Sequence, residues 1–418
     1  MPLTGSITKS MIKYLNSAKI KGKTVLLRAD LDEEIMPGGS LEGDYRLRRL
    51  LPTIDYLRKQ NCKVIICGHL GRPKGNWDAK FSLAPVALRL AELLNCKFIE
   101  TDKILPDYPV DHLIFYKKNI QQEQAREQIK EIAGKDLVLL ENLRYYEGEE
   151  ANDAFFAKQL ASLANVYVND AFGNCHRAHA SMVAITKYLP SYAGLTLEQE
   201  IKAFHYVLNR AKQPFMILMG GIKVSDKVAT LNNLAKKADK ILLGGGLANL
   251  FFAAAGLEVG QSKIEKEDTK LAWQIHKNFK DKIVLPQDVV VANQSHDKAS
   301  IRAVLPHKIG KGDFVLDIGP KTILEFANSL RTARTVVWNG PLGLFEEKPF
   351  RTGTMALAKV IGGISQGQCY GVVGGGETVD AVRQAGQEEY FDHVSTGGGA
   401  MLEILAGNKL PGIEALDK

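Results

Sequence analysis

Hydrophobic and polar positions follow two recurring patterns along the chain. Short apolar or β-branched runs alternate with longer stretches in which apolar residues recur at helical spacing. The first pattern predicts strands at 24–30, 63–69, 97–100, 112–116, 136–141 and 165–169, and again at 215–219, 240–243, 282–285, 314–318, 335–338 and 370–373. The second pattern predicts intervening helices, for example at 83–94, 121–132 and 153–164. This alternation indicates an α/β fold.

Several of the predicted strands contain continuous apolar runs without polar alternation, notably 64–67 and 137–140. Runs of this kind are typical of parallel strands that are covered by helices on both faces. With 418 residues the chain is too long for a single ordinary core. A Pro/Gly-containing breaker at 189–194 favours a division into domains at 1–193 and 194–409, with a helix at 197–209 connecting them.

Composition narrows the class of protein. The apolar share of 45% and the charged share of 24% are typical of soluble globular proteins. The net charge of +7 is spread along the chain without an aromatic-plus-arginine repeat, so we expect no nucleic-acid partner. The five cysteines include no CxxC pair, and the longest apolar stretch, 241–257, contains four glycines and an asparagine. We therefore expect a cytoplasmic protein without a membrane partner.

Chemistry-bearing residues divide between the two halves. Arginines and histidines follow the predicted strands before residue 180, in clusters that contain Arg28, Asp30, Arg46, His69, Arg72, Arg144, His176, Arg177 and His179. Guanidinium groups bind phosphate and carboxylate in a bidentate way, so this half suits a small, multiply charged anion. Three glycine triplets, at 244–246, 374–376 and 397–399, lie in the second half and suit nucleotide phosphates. Two substrates on two domains are the predicted arrangement.

Three further features of the pattern allow more than one interpretation. Lys223 and Lys227 are four residues apart, so they project from one helical face and can hold phosphates or lie solvated. Glu377 begins a helix after a glycine turn, where a carboxylate can cap the helix or bind Mg²⁺. Cys175, His176 and His179 are zinc-capable, but no second ligand cluster follows at a fitting spacing.

Nine segments carry a family resemblance: CGHLGRP, LLENLRYYEGEE, NDAFGNCHRAH, MGGIKVSDKV, LLGGGLAN, LDIGPKT, VVWNGPLGLFE, VGGGET and HVSTGGGAMLEILAG. Together they resemble the phosphoglycerate kinase family over essentially the whole chain. The resemblance implies two Rossmann-like domains with parallel sheets, joined by a helical hinge. It also implies that the tail at about 410–418 completes the first domain. The family is usually monomeric. It transfers a phosphoryl group reversibly between 1,3-bisphosphoglycerate and ADP, giving 3-phosphoglycerate and ATP, with Mg²⁺.

The resemblance also implies roles for individual residues. The phosphoglycerate site would comprise Asp30, Leu31, Asp32, Arg46, His69, Leu70, Gly71, Arg72, Arg144 and Arg177. The nucleotide site would comprise Lys223, Lys227, Gly319, Asn339, Glu346, Gly375, Gly376, Glu377 and Thr378. Arg46 and Lys227 would be catalytic, Glu346 would meet the ribose, and Glu377 would bind the metal of the Mg²⁺–nucleotide complex.

The chain departs from the family pattern in and beside these sites, where Glu33-Glu34 also replaces the common Val-Pro. Asp32 stands where Asn is usual, Glu377 where Asp is usual, and Ile222 where a small Ala is common. An ionised Asp32 would only accept hydrogen bonds, and it would repel an anionic substrate unless it were protonated or turned towards an arginine. The alternative function is a catalytically weakened relative that binds nucleotide or phosphoglycerate in a regulatory or scaffold role. A dinucleotide-dependent oxidoreductase is disfavoured, because GxGxxG is absent from the predicted strand–helix turns.

Overall fold

The structure is a computed structural model that describes residues 12–103, 111–131, 137–221, 225–293 and 298–417. The chain divides into two units. The first unit runs to Ile201 and includes the C-terminal segment from Lys409, and the second unit is Lys202–Asn408. No helix among the described residues is long and apolar enough to cross a membrane.

The first unit is built on one seven-stranded parallel sheet in the order β3-β4-β5-β2-β1-β6-β7. Its central strands are fully buried, as their unbroken apolar runs predict. The strands are β1 (Thr24–Arg28), β2 (Lys63–Cys67), β3 (Lys97–Thr101), β4 (His112–Tyr116), β5 (Leu137–Leu140), β6 (Val166–Asn169) and β7 (Ser191–Ala193).

Helices of the first unit pack through regular apolar faces. In α1 the buried residues Leu47, Leu50, Ile54 and Leu57 recur at helical spacing and join the core formed by the sheet. This packing anchors the beginning of α1 beside the ends of the strands. The helices are α1 (Tyr45–Lys59), α2 (Ala84–Leu93), α3 (Glu123–Glu131), α4 (Glu147–Glu150), α5 (Ala154–Ala161) and α6 (Leu195–Asn209), which continues into the second unit.

The second unit contains a six-stranded parallel sheet in the order β10-β9-β8-β14-β15-β16 and a three-stranded antiparallel sheet in the order β12-β11-β13. The strands are β8 (Phe215–Met219), β9 (Lys240–Leu243), β10 (Ile283–Val284), β11 (Val289–Ala292), β12 (Arg302–Val304), β13 (Phe314–Ile318), β14 (Thr335–Asn339), β15 (Tyr370–Gly374) and β16 (His393–Val394).

Several helices of the second unit begin after a strand and a glycine. Gly244, Gly319, Gly375 and Gly397 each precede a helix start. The helices are α7 (Ser225–Ala235), α8 (Gly245–Ala254), α9 (Thr269–Asn278), α10 (Pro320–Leu330), α11 (Thr352–Ser365), α12 (Gly376–Gln384) and α13 (Gly398–Leu405), and the short α14 (Pro411–Glu414) belongs to the first unit.

The structure confirms the predicted α/β class with parallel sheets and corrects one detail. The strand expected at 314–318 forms as β13, but it pairs with β11 in antiparallel orientation and not within the parallel sheet. The apolar pattern could not give this pairing, because β11 and β12 are short and β12 is mostly exposed. The strand expected at 282–285 is shorter in the structure, where β10 contains only two residues.

Candidate functional site

Four neighbouring strands of the first unit carry the predicted anion-binding residues at their carboxyl ends. The strands β5, β2, β1 and β6 are adjacent in the sheet. Asp30 follows β1, His69 follows β2, Arg144 follows β5 and Arg177 follows β6. Because the carboxyl ends of parallel strands share one edge, the fold brings these residues to the same side of the sheet.

Arg46, the second residue of α1, is held by the buried carboxylate of Glu33, to which the sequence assigned no role in the site. One Glu33 oxygen accepts the backbone N–H of Arg46 (2.9 Å), while the other lies 3.0 Å from the Arg46 guanidinium. The guanidinium also donates to the Asp32 carbonyl (2.8 Å) and lies 3.7 Å from the Asp30 carboxylate. Burial raises the pKa of Glu33, against the attraction of Arg46. Glu33 therefore fixes both the helix start and its arginine.

His69 is neutral, and its tautomer is set by Arg28. Arg28 is fully buried, and its guanidinium lies 2.9 Å from Nδ1 of His69. Burial lowers the pKa of His69 to about 3, opposed by Asp32 and assisted by the nearby Arg28 and Arg144. An arginine can only donate, so Nδ1 accepts and the ring proton sits on Nε2, which faces Asp32 at 3.7 Å.

Asp32 is ionised in this site. One of its carboxylate oxygens accepts the backbone N–H of Gly71 (2.7 Å). Burial opposes ionisation, but the His69 ring, the Gly71 N–H and the Arg46 charge outweigh it and hold the pKa of Asp32 well below its usual range. The carboxylate is ionised, and no arginine in the described part of the chain donates a hydrogen bond to it. Arg46 donates to the Asp32 backbone carbonyl instead. By accepting the Gly71 N–H, the carboxylate also orients the Gly71 turn.

Asn142, another residue that the sequence did not single out, ties together the loops that follow β2 and β5. Its amide nitrogen donates to the carbonyls of Leu70 (2.7 Å) and Phe81 (2.8 Å), and its oxygen accepts the N–H of Arg144 (3.0 Å). Arg144 in turn donates to the Gly71 carbonyl (2.6 Å) and lies 3.1 Å from Glu150. Arg144 is thus buried and braced from both sides.

The remaining predicted residues of this half differ in exposure. Arg72 is exposed and Arg177 is half-buried, so both are accessible to a ligand. Leu31 and Leu70 have buried side chains that belong to the core, which leaves only their backbone groups for binding. Their assignment to the phosphoglycerate site stays a prediction that concerns the main chain alone.

Lys227 in the second unit is held over a glycine turn. Its ammonium donates to the Gly220 carbonyl (2.5 Å), and Lys227 is 8% exposed. A side chain at Gly221 or Gly340 would collide with this ammonium, and both glycines have positive φ values, +83° and +90°. The turn after β8 and the turn after β14 therefore need glycine to admit Lys227. Lys223 and Ile222 lie outside the described residues.

The ends of β14 and β15 are joined by two polar side chains. Asn339 donates to the Gly374 carbonyl (2.8 Å), and Thr378 accepts the backbone N–H of Gly340 (2.7 Å). Gly375, with φ +96°, lets the chain turn tightly into α12, and an added Cβ there would lie 2.9 Å from the Asn339 amide. These contacts leave the first backbone N–H groups of α12 directed towards solvent or a ligand.

A cavity of about 330 Å³ lies beside these turns within the second unit. Its lining includes Gly221, Gly245, Glu346 and Glu377. Gly319 does not line it and instead donates its N–H to the Asp288 carbonyl (2.8 Å). Among the described residues no group of three or more His, Cys, Asp or Glu side chains is arranged to hold a metal ion, and this includes Cys175, His176 and His179. The exposed Glu377 is a lone carboxylate, which suits Mg²⁺ carried mainly by phosphates.

The family described as "Phosphoglycerate kinase" matches residues 15–408. The chain belongs to the phosphoglycerate kinase family. Curated members from Trichodesmium erythraeum (strain IMS101) and Synechococcus sp. (strain CC9311) are 42% and 41% identical to it, over 98% of this chain and 100% and 99% of theirs.

Solved structures of the family agree with the fold. The structure of phosphoglycerate kinase from Coxiella burnetii has a TM-score of 0.81 and 33% identity, covering 97% of this chain and 98% of that chain. The phosphoglycerate kinase from Pyrococcus horikoshii OT3 has the same TM-score and coverage at 30% identity. Family membership thus rests on sequence and on fold.

Proposed function

We propose that this member of the family is an active enzyme that transfers a phosphoryl group reversibly between 1,3-bisphosphoglycerate and ADP, giving 3-phosphoglycerate and ATP. The observation that carries the proposal is the basic group at the ends of β1, β2, β5 and β6 in a chain that matches the family over residues 15–408. Nothing found in the comparisons favours a purely regulatory or scaffold role.

The first unit is the proposed phosphoglycerate-binding domain. Arg72 and Arg177 are accessible, Arg46 is oriented by Glu33, and Arg144 is braced by Asn142. Arginines in such fixed positions suit the phosphate and carboxylate of phosphoglycerate, because each guanidinium offers a planar fork of donors. His69, held with its proton on Nε2, supplies a neutral donor at the same edge. We assign the domain to residues 1–193 with the tail at about 410–418.

The second unit is the proposed nucleotide-binding domain, assigned to residues 194–409. Lys227, Asn339, Thr378 and the glycine turns surround the position that we assign to the phosphates, with Glu346 at the ribose. The substrate is taken to be the Mg²⁺ complex of the nucleotide, and Glu377 would hold the metal together with the phosphate oxygens. Mg²⁺ would supply charge neutralisation there, and the exposed carboxylate fits that role.

The proposed phosphoryl transfer needs little covalent catalysis by the protein. The attacking carboxylate of 3-phosphoglycerate is already ionised, so we assign no general base. Phosphoryl transfer needs in-line placement and positive charge on the transferred oxygens, and Arg46 and Lys227 are the two cations assigned to that task. Lys227 donates to the Gly220 carbonyl and Arg46 donates to the Glu33 carboxylate. Both cationic side chains are therefore oriented before the substrate binds.

Turnover of purified protein tests the proposal. With 3-phosphoglycerate, ATP and Mg²⁺ in a coupled assay, the wild type should form the acyl phosphate. Arg46→Ala and Lys227→Ala should each lower kcat by roughly 10²–10³, the usual cost of one preorganised charge. Arg48→Ala and Lys236→Ala remove exposed charges close by in the chain and should leave turnover unchanged. A wild type that turns over no faster than the Arg46→Ala variant would refute the enzymatic role.

The cellular setting is proposed on the same basis. Burial raises the pKa of the Cys67, Cys175 and Cys369 thiols to about 12, and these cysteines are not in disulfides. Buried, unreactive thiols are typical of proteins that work in a reducing compartment. We therefore propose a cytoplasmic enzyme. The resemblance to the phosphoglycerate kinase family also implies a monomer, and sedimentation of the purified protein would test that state.

A further inference from the structure

A buried carboxylate lies behind the basic edge of the first unit, and the proposed reaction does not use it. Glu149, in α4, is fully buried, so its side chain cannot contact a substrate. One of its oxygens accepts the Ser181 backbone N–H (3.0 Å), and the other accepts the Ser181 hydroxyl (2.5 Å). Both oxygens of Glu149 are therefore used as acceptors by one residue of the segment that follows β6.

Ser181 connects Glu149 to Arg28. Because the Ser181 hydroxyl donates its proton to Glu149, its oxygen is left to accept the Nε–H of Arg28 (2.9 Å). The Ser181 carbonyl accepts the Tyr167 hydroxyl (2.6 Å). The Glu149 carbonyl accepts the N–H of Ala180 (2.9 Å). These contacts fix the main chain on either side of the hydroxyl, so the direction of its hydrogen bonds is fixed as well.

Arg28 extends this order to His69. Each nitrogen of its fully buried guanidinium has a partner. Nε donates to Ser181, Nη1 donates to the Ala29 carbonyl, and Nη2 lies 2.9 Å from Nδ1 of His69. Water cannot replace a lost partner at a buried group without cost. The position of the guanidinium, and with it the donor to His69, therefore depends on Ser181.

His179 is another ionisable neighbour of Glu149, but it does not hold the carboxylate. Its Nδ1 lies 3.8 Å from a Glu149 oxygen, which is too far for a hydrogen bond. Burial lowers the pKa of His179 to about 3, and the nearby Arg144 and Arg28 act in the same direction, so the ring is neutral. Burial also raises the pKa of Glu149, against the attraction of Arg28 and the hydrogen bonds from Ser181. The favourable interactions of Glu149 thus point towards Arg28.

We infer that Glu149 is a positioning residue for His69. Through Ser181 and Arg28 it holds the His69 ring in one orientation, with the ring proton on Nε2. The inference rests on the proposed function, since it takes His69 to donate from Nε2 to phosphoglycerate. The protonated nitrogen of a histidine is set by the hydrogen bond that the other nitrogen makes, and such bonds are precise only when their own partners are fixed.

The ¹⁵N spectrum of the histidine rings measures the tautomer in the full-length protein without substrate. Protonated and unprotonated ring nitrogens have well-separated shifts, and the signal that is lost in His69→Gln belongs to His69. We expect the wild type to carry the proton on Nε2 alone. Glu149→Gln leaves one acceptor for the two donors of Ser181 and so releases Arg28. The Nδ1–H form should then reach roughly a tenth of the population, a change on the scale of one hydrogen bond.

Steady-state kinetics gives a second readout that a merely structural role would not change. Glu149→Gln and Ser181→Ala should each raise the KM for 3-phosphoglycerate roughly fivefold and leave the KM for ATP unchanged. Glu147→Gln makes the same substitution at an exposed position of α4 and should keep the wild-type spectrum and both KM values. A structural role alone would lower the urea midpoint of the variants without changing the His69 tautomer.

The possible results separate the inference from the proposed reaction. A single Nε2–H tautomer in a folded Glu149→Gln variant overturns the inference and leaves the reaction standing. A wild type whose His69 carries the proton on Nδ1 also overturns it. A changed tautomer in the variant, with no turnover by the wild type, supports the positioning of His69 and refutes the reaction. If Glu149→Gln does not fold, the spectrum of Ser181→Ala decides the question, because that change breaks the same connection closer to His69.

Discussion

Replacing Asn142 by leucine should loosen the loops that carry His69, Arg72 and Arg144 and destabilise the first unit. The asparagine is fully buried and makes three hydrogen bonds, two donated to the Leu70 and Phe81 carbonyls and one accepted from Arg144. Leucine has a similar size, so the change removes hydrogen bonds and creates little cavity. The perturbation is therefore mainly polar.

The magnitude follows from the groups left behind. Each buried group that loses its partner costs about 1–3 kcal/mol. The Phe81 carbonyl is only partly buried and can regain water, whereas Leu70 and Arg144 are buried. We therefore expect a loss of about 3 kcal/mol in the free energy of unfolding of the first unit, a downward shift of about 1 M in the urea midpoint for a typical slope.

Urea unfolding followed by circular dichroism measures the loss, and hydrogen exchange of peptides spanning β2 and β5 locates it. Asn76→Leu is the matched control, because Asn76 is exposed and makes one 3.3 Å bond to the Lys74 carbonyl. It should change stability by less than about 0.5 kcal/mol. A loss below 1 kcal/mol in Asn142→Leu, with no change in exchange near β2, would refute the bracing role of Asn142.

Two further predictions concern ionised and buried carboxylates. Asp32→Asn keeps an oxygen that can accept the Gly71 N–H but removes a negative charge from the basic edge of the sheet. The KM for 3-phosphoglycerate should therefore fall roughly fivefold, which corresponds to about 1 kcal/mol. An unchanged or higher KM in steady-state assays would contradict the repulsion between Asp32 and the substrate. Asp170 accepts the N–H of Leu197 at the start of α6, and burial raises its pKa from 3.8 to about 6. The folded state then holds a proton that the unfolded state has lost, so this group reduces stability as pH rises from about 4 to 6. Relative to the wild type, Asp170→Asn should gain about 1 kcal/mol between pH 5 and pH 7 in urea unfolding, and a pH-independent difference would rule out the raised pKa.

Local patterns carried most of the information on secondary structure. Apolar runs located the central strands, and the residues that follow them, His69 and Arg144 among them, could be placed at strand ends from spacing alone. The antiparallel pairing of β13 with β11 could not be predicted, because nothing in the strand itself shows which neighbour it takes. Likewise no local pattern distinguishes Asn142 or Glu33 from an ordinary surface polar residue.

The sequence by itself determined the α/β class, the division of arginines and glycines between the two halves, and the family, because these depend on residue type and order. Only the tertiary structure decided the partners of each polar group. It paired Arg46 with Glu33 and Arg28 with His69, and it kept Asp32 ionised through the His69 ring and the Gly71 N–H. The charge state of a side chain and its hydrogen-bond partners depend on distances of a few ångströms between segments that are far apart in the chain. Only folding sets those distances.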